Sequence, residues 1–262
     1  MIVKRTYPKI LLLITSSSII FIILYFSLYY YTKKVENEVY SNSTIQFKNE
    51  VEKLISINSK PITVAINNDT NWDEFVKFTK TKDANWFNET IGNEIDIYNA
   101  DYLGAYDVNK EFIMSITSSK IKSKDIIPKR ALADIDKKGV DKFYMKIPEG
   151  IVEVIGASIH PSNDPTKKKT KPSGYFFVFR LIDTSFLNEL EKLTSTKIDI
   201  TNNENHISNK HLIFASISLN DFNNKPIVNL HFHRKFDIYF EKTLSILFLI
   251  IATFTISLIF NL

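Results

Sequence analysis

The chain has 262 residues, and its 33 lysines and arginines against 29 aspartates and glutamates give a formal net charge of +4. That balance lacks the concentrated basic surface of a nucleic-acid footprint, so no nucleic-acid partner is expected. The absence of cysteine excludes disulfides, thiolate zinc sites, iron–sulfur clusters and a cysteine nucleophile.

Mean hydropathy is −0.08, but the apolar residues are concentrated at the two ends. Residues 1–9 carry Lys4, Arg5 and Lys9 with no acid, which predicts a cytoplasmic N-terminus by the positive-inside rule. Residues 10–32 carry no charge; as a helix they would reach about 34 Å, enough for a ~30 Å hydrocarbon core. The run ends in Tyr29, Tyr30, Tyr31 and Lys33 and lacks a small-residue cleavage site, so it reads as an uncleaved span and not a signal peptide. Residues 243–262 form a second uncharged run, and Tyr239 and Phe240 sit where an aromatic belt would lie. The expectation is a multi-pass protein of the cell membrane, with residues 33–242 as an extracytoplasmic domain of formal charge +1.

In chain order, residues 33–60 repeat apolar positions at helical spacing, and Pro61 predicts a break or bend. Asp69 or Asn71 could cap a short helix carrying Trp72, Phe75, Val76 and Phe78. Trp86, Phe87 and Ile91 suggest another. Tyr102–Tyr106 and Glu111–Thr117 read as a hairpin, and Pro128 would open a helix over residues 128–138. Strands are predicted at Lys142–Ile147, Ile151–Ile159 and Gly174–Leu181, with a long loop before the third. An amphipathic helix over Thr184–Leu193 precedes strands at Lys197–Thr201, Leu212–Leu219 and Pro226–His233. This pattern predicts an α+β domain built on one sheet.

No phosphate-binding loop, H-E-x-x-H, G-x-S-x-G or kinase motif occurs, so neither catalysis nor a cofactor is expected of this chain. Of the histidines at 160, 206, 211, 231 and 233, His231 and His233 would share one strand face. Without an evident third ligand they read as wet polar side chains and not a metal site. Lys167, Lys168 and Lys169 read as a solvated loop, and Trp72 and Trp86 as core residues. Arg180 follows the apolar run Tyr175–Phe179, so it requires either a carboxylate partner or an anionic ligand.

The segment NDTNWDEF (Asn68–Phe75), followed by Lys80, Thr81, Lys82, Asp83 and Trp86, resembles the opening of the fourth type of CHASE domain. GASIHPSND (Gly156–Asp164) and GYFFVFRLID (Gly174–Asp183), and the placement between two apolar runs, are also similar to that family of extracytoplasmic sensory domains. The resemblance spans roughly residues 61–193. It implies a PAS-like or Cache-like antiparallel-sheet domain enclosing a small-molecule pocket, flanked by two transmembrane helices. It also implies an input role for a histidine kinase or diguanylate cyclase, passed on by helix movement. No such output module follows residue 243, so the chain reads as the sensory part of a longer receptor or as a degenerate sensor.

The expected pocket is lined by Tyr106, Tyr175, Phe177 and Arg180, with His160 and Asp164 on a covering loop, and Trp72 and Asp73 fixing the helix that closes the sheet. The expected partners are the lipid bilayer, an unidentified small molecule and a second copy of the chain. The alternatives are a structural membrane protein whose outer domain binds a partner, for which a side-chain-filled interior would speak, and an extracytoplasmic hydrolase.

Overall fold

The computed structural model describes residues 3–201, 212–236 and 241–260. His206, His211, Tyr239 and Phe240 lie outside them. The chain divides into two compact units, one of Met1–Phe47, Ser208–Ile213 and Lys235–Leu262, the other of Lys48–Ile207 and Phe214–Arg234.

In the first unit, the N-terminal part of helix α1 (Val3–Asp69) packs against α7 (Glu241–Phe260). Phe21 meets Phe254 edge-on at 5.0 Å between ring centroids, and Tyr25 meets Phe248 at 5.8 Å. Rising numbers on one helix meet falling numbers on the other, so the two run antiparallel. Tyr40 donates a hydrogen bond to the Leu212 carbonyl and stands edge-on to Phe236. Among the described residues, one helix is long and apolar enough to cross a membrane, the one running Pro8–Asp69, while Ser245–Ile256 is a shorter apolar helix.

The second unit is built on a five-stranded antiparallel sheet, in the order β2-β1-β5-β4-β3. The strands are β1 (Tyr102–Asp107), β2 (Phe112–Thr117), β3 (Val140–Ile147), β4 (Gly150–Ile159) and β5 (Gly174–Leu181). Alternation along the strands divides two apolar layers. Tyr102, Tyr106, Val152, Val154, Tyr175, Phe177 and Phe179 pack on one face under α5 (Lys129–Lys138), through Ala131, Leu132 and Ile135. Leu103, Ala105, Ile155, Ala157, Phe176 and Val178 pack on the other, against Ile62 and Ile66 of α1 and Phe75 and Phe78 of α2 (Asp73–Thr81). With both faces covered, every residue of the central strand β5 is buried, which is why it reads as an unbroken apolar run. Gly156 lets α5 approach closely: a Cβ there would stand 2.4 Å from Ile135 Cδ1 and 2.5 Å from Phe177 Cε1.

Past α2, a short helix α3 (Ala84–Trp86), a π-turn (Phe87–Ile91) and α4 (Glu94–Ile97) lead into β1. After β5, α6 (Thr184–Thr194) precedes a second, three-stranded sheet in the order β6-β8-β7 (Lys197–Thr201, Pro226–Lys235, Leu212–Asn220).

Four expectations need correction. The strands form two sheets and not one, because β6, β7 and β8 pair among themselves and not with the five-stranded sheet. Pro61 does not end α1, which continues to Asp69; the apolar contacts of Ile62 and Ile66 carry the helix past the missing N–H. Neither Asp69 nor Asn71 caps α2, whose N-cap is Trp72 without a side-chain bond; Asp69 instead accepts the Tyr98 hydroxyl. Pro128 is the N-cap of α5, and the helix starts at Lys129.

Candidate functional site

The eight residues expected around one pocket fall into three places. Tyr106, Tyr175 and Phe177 share a sheet face, as alternation predicts, but they are sealed beneath α5 and its leading loop. Tyr106 donates to Asp125 Oδ1 at 3.0 Å and accepts the Ile127 N–H, while Tyr175 donates to Asp136. Burial, with the Asp136 carboxylate, raises the Tyr175 hydroxyl above its usual range; burial does the same for Tyr106, pushed up to about 12. These are packed core tyrosines.

Arg180 lies on the opposite face, three residues along the strand from Phe177 and so of opposite parity. Its guanidinium Nη2 donates to Glu153 Oε2 at 2.6 Å, from the residue directly across on β4. Arg180 is 6% exposed and Glu153 2%. The same carboxylate accepts from Lys142 Nζ at 3.2 Å and from the hydroxyl of Ser59 on α1, with Tyr144 Oη at 3.4 Å. Burial opposes ionisation of Glu153, but Arg180 and Lys142 overcome it and hold the carboxyl below its usual range. Arg180 therefore takes the carboxylate partner that its position in an apolar strand requires. Ser59, Lys142 and Glu153 were missed, although the lone acid in the apolar run GIVEVIGASI signals a paired charge.

The remaining four meet where α1 ends. Asp73, the first residue of α2, accepts the Ser162 N–H at 3.1 Å and the Ser162 hydroxyl. The fully buried Asp164 organises residues 161–173: its carboxylate accepts the N–H groups of Lys168, Lys169 and Thr170 at 3.1, 2.9 and 2.7 Å, and the Thr170 hydroxyl at 2.8 Å. Burial works against its charge, yet these donors prevail and hold it far below the usual range. His160 Nδ1 lies 2.8 Å from Thr170 Oγ1, and Nε2 lies 3.1 Å from Ser158 Oγ. Burial and the nearby Lys167 charge lower the imidazole pKa. Trp72 packs against Trp86 with the rings tilted at 49° and 5.4 Å between centroids, on the rim of the apolar layer.

Lys167 departs from the solvated reading of its lysine run. Its Nζ donates to Thr70 Oγ1 at 2.6 Å, just past the end of α1, and burial pushes its pKa down to about 8. Of the strand histidines, His233 pairs with Asp199 at 2.6 Å. Among the described residues no group of three potential metal ligands comes together.

The end of α1 is thus fastened at two polar points, Ser59 to Glu153 of β4 and Thr70, just past the helix, to Lys167 of the loop between β4 and β5, about 16 Å apart along the axis, with Ile62 and Ile66 packed between them. The fold is similar to solved extracellular domains of signalling proteins. The extracellular domain described as that of a histidine kinase, vpHK1S-Z8, matches at 9% identity and a TM-score of 0.50, covering 80% of this chain and 98% of that one. The periplasmic domain of Vibrio cholerae LuxQ matches at 8% identity and a TM-score of 0.49, covering 74% of this chain and all of that one. No curated protein matches the chain in sequence. Helices packed on an antiparallel sheet make this an α+β domain, similar in fold to the vpHK1S-Z8 extracellular domain. The chain belongs to the CHASE4 family, whose CHASE4 domain matches residues 54–201.

Proposed function

We propose that this chain is the input region of a membrane receptor of histidine-kinase or diguanylate-cyclase type. In this reading a PAS-like extracytoplasmic domain, residues 33–242, is held between spans at 10–32 and 243–262, with residues 1–9 in the cytoplasm. It works as a homodimer, takes a small molecule, and signals by displacing α1 along or about its axis. The observation that carries this reading is that one helix holds both the uncharged run and the stretch fastened at Ser59 and Thr70. The antiparallel contacts of Phe21 and Tyr25 with α7 support a second span beside the first. A ligand shifts such an equilibrium only through its differential affinity for the two arrangements, and about 1.4 kcal/mol gives a tenfold shift.

The test fuses residues 1–260 to the cytoplasmic kinase of a two-span receptor. Ser59→Ala and Lys167→Met, each releasing one fastening, are expected to change basal kinase output at unchanged membrane abundance. Output identical to the parent with both substitutions overturns the reading. A structural, partner-binding protein is the second reading, favoured by the side-chain-filled layer around Tyr106 and Phe177, where the ligand pocket was expected.

A further inference from the structure

His160 stands one residue beyond β4 and is 1% exposed. Its backbone N–H donates at 2.8 Å to the carbonyl of Thr70, the first residue past α1, and Asn71 lies beside it in an isolated parallel bridge. The hydrogen bonds of its ring can be followed donor by donor. Thr170 gives its hydroxyl hydrogen to Asp164 Oδ2 at 2.8 Å, so its oxygen accepts from His160 Nδ1, also at 2.8 Å. Nε2 lies 3.1 Å from Ser158 Oγ, and that hydroxyl has a second acceptor, the Gly139 carbonyl, at 3.2 Å. With a neutral ring, Ser158 donates to Nε2. With a protonated ring, Nε2–H donates to Ser158, which turns its hydrogen to Gly139. Both forms keep both ring nitrogens bonded.

Charge, and not hydrogen bonding, therefore sets the cost of the proton. The charges facing the ring both come from residues 161–173: Asp164, whose Oδ2 is 3.5 Å from Nδ1, and Lys167. On the other elements packed here, Asp73 of α2 is engaged by Ser162, Asp69 of α1 by Tyr98, and Lys138 of α5 by Asp141. Burial and the Lys167 charge disfavour the imidazolium, while Asp164 favours it. One buried carboxylate does not compensate two buried cations. Of the two, the imidazole is pinned through its backbone beside β4, whereas the half-buried ammonium sits on a flexible four-carbon stem.

We propose that His160 is a proton-binding site whose protonation expels the Lys167 ammonium from Thr70 and so releases the fastening at the end of α1. The released arrangement binds the proton more tightly, because the imidazolium then has Asp164 to itself. That differential affinity is what shifts a two-state equilibrium, and acidification below about pH 6.5 moves the domain toward release. A proton needs no cavity, in keeping with the filled layer beneath α5. The inference deepens the sensor reading by naming the proton as an input, and it rests on that reading.

The test follows Trp72, two residues past Thr70, in the full chain in detergent. Trp86→Phe leaves Trp72 as the one tryptophan. Its emission is recorded between pH 8 and pH 5, with circular dichroism to confirm that the sheet stays folded. A reversible spectral shift with its midpoint below about pH 6.5 is expected, and His160→Gln should abolish it. Lys167→Met, in which the fastening is already released, should also abolish the spectral shift. It should at the same time move the His160 titration, read from its imidazole NMR signal, upward by on the order of one pH unit. No spectral shift in the parent, a shift that survives His160→Gln, or a His160 titration that Lys167→Met leaves in place overturns the proposal. These readouts involve no kinase, so their failure strikes the proton site alone. Failure of the sensor reading would show instead as fusion output indifferent to Ser59→Ala and Lys167→Met, with the His160 titration as expected.

Discussion

Glu153 and Arg180 face one another across β4 and β5 because the register places them there, and both are buried. Removing Glu153 leaves the buried Arg180 without its carboxylate, so Glu153→Ala is expected to cost about 3–5 kcal/mol in chemical denaturation, whereas Arg180→Ala, which leaves Glu153 still paired with Lys142, and Glu153→Leu with Arg180→Met together should each cost less. Equal losses for Glu153→Ala and the double variant would contradict this account. Because the folded pKa of Glu153 is depressed, its contribution is present above pH 4.5 and is lost as pH falls through the lower folded value. Lys167 has the opposite sign of effect. Its folded pKa of about 8 lies below the usual 10.5, so the unfolded chain binds the proton more tightly and stability rises with pH between those values. Lys167→Met should therefore stabilise the protein at pH 7 by on the order of 1 kcal/mol, with the advantage shrinking by pH 10; a constant difference would show that burial of the charge is not the cause. That Arg180 and Glu153 each need a partner was legible as a lone charge in an apolar run. That they are each other's partner was not, since it depends on a register set by the β4–β5 pairing. Lys167 was misread because nothing in a three-lysine loop distinguishes the one that folds back onto Thr70.

At the scale of elements, the strands were legible and the helix boundaries less so. Alternation and turn residues located β1 to β8, because these signals are local. The fate of Pro61 is not local: Ile62 and Ile66 bury against the sheet, and that packing sustains the helix through a residue that breaks it in isolation. Pro61→Ala should then stabilise the second unit by up to about 3 kcal/mol, read as a higher Tm; an unchanged Tm would mean that the local geometry depends on proline. Residues 161–173 contain no helix or strand, yet the Asp164 carboxylate gathers three consecutive N–H groups and a hydroxyl. Asp164→Ala should expose this segment to limited proteolysis while the sheet stays protected, and cleavage no faster than in the parent would show that other contacts hold it. The expected pocket failed for a reason of the same kind. Tyr106, Tyr175 and Phe177 do share a face, but α5 reaches it through Gly156 and fills the space a ligand would need.

For the whole molecule, the physical question is what shields the apolar surfaces of α1 and α7. Ile22 is 54% exposed and Ile250 59%, among many large apolar side chains on these helices that protein atoms leave uncovered. In water such surfaces would cost roughly 25 cal/mol per Å², whereas in a bilayer the same exposure costs nothing. The chain has no cysteine, so single-cysteine variants report directly on what surrounds each position. With both helices in lipid, Ile22→Cys and Ile250→Cys should resist a membrane-impermeant maleimide in intact and in permeabilised cells alike, although neither is buried by protein. Ala84→Cys, exposed at the start of α3, should react in intact cells, and Lys4→Cys only after permeabilisation. Labelling of Ile250→Cys would remove the second span, and protection of Ala84→Cys in intact cells would place the sheet on the cytoplasmic side, where an extracytoplasmic input could not operate.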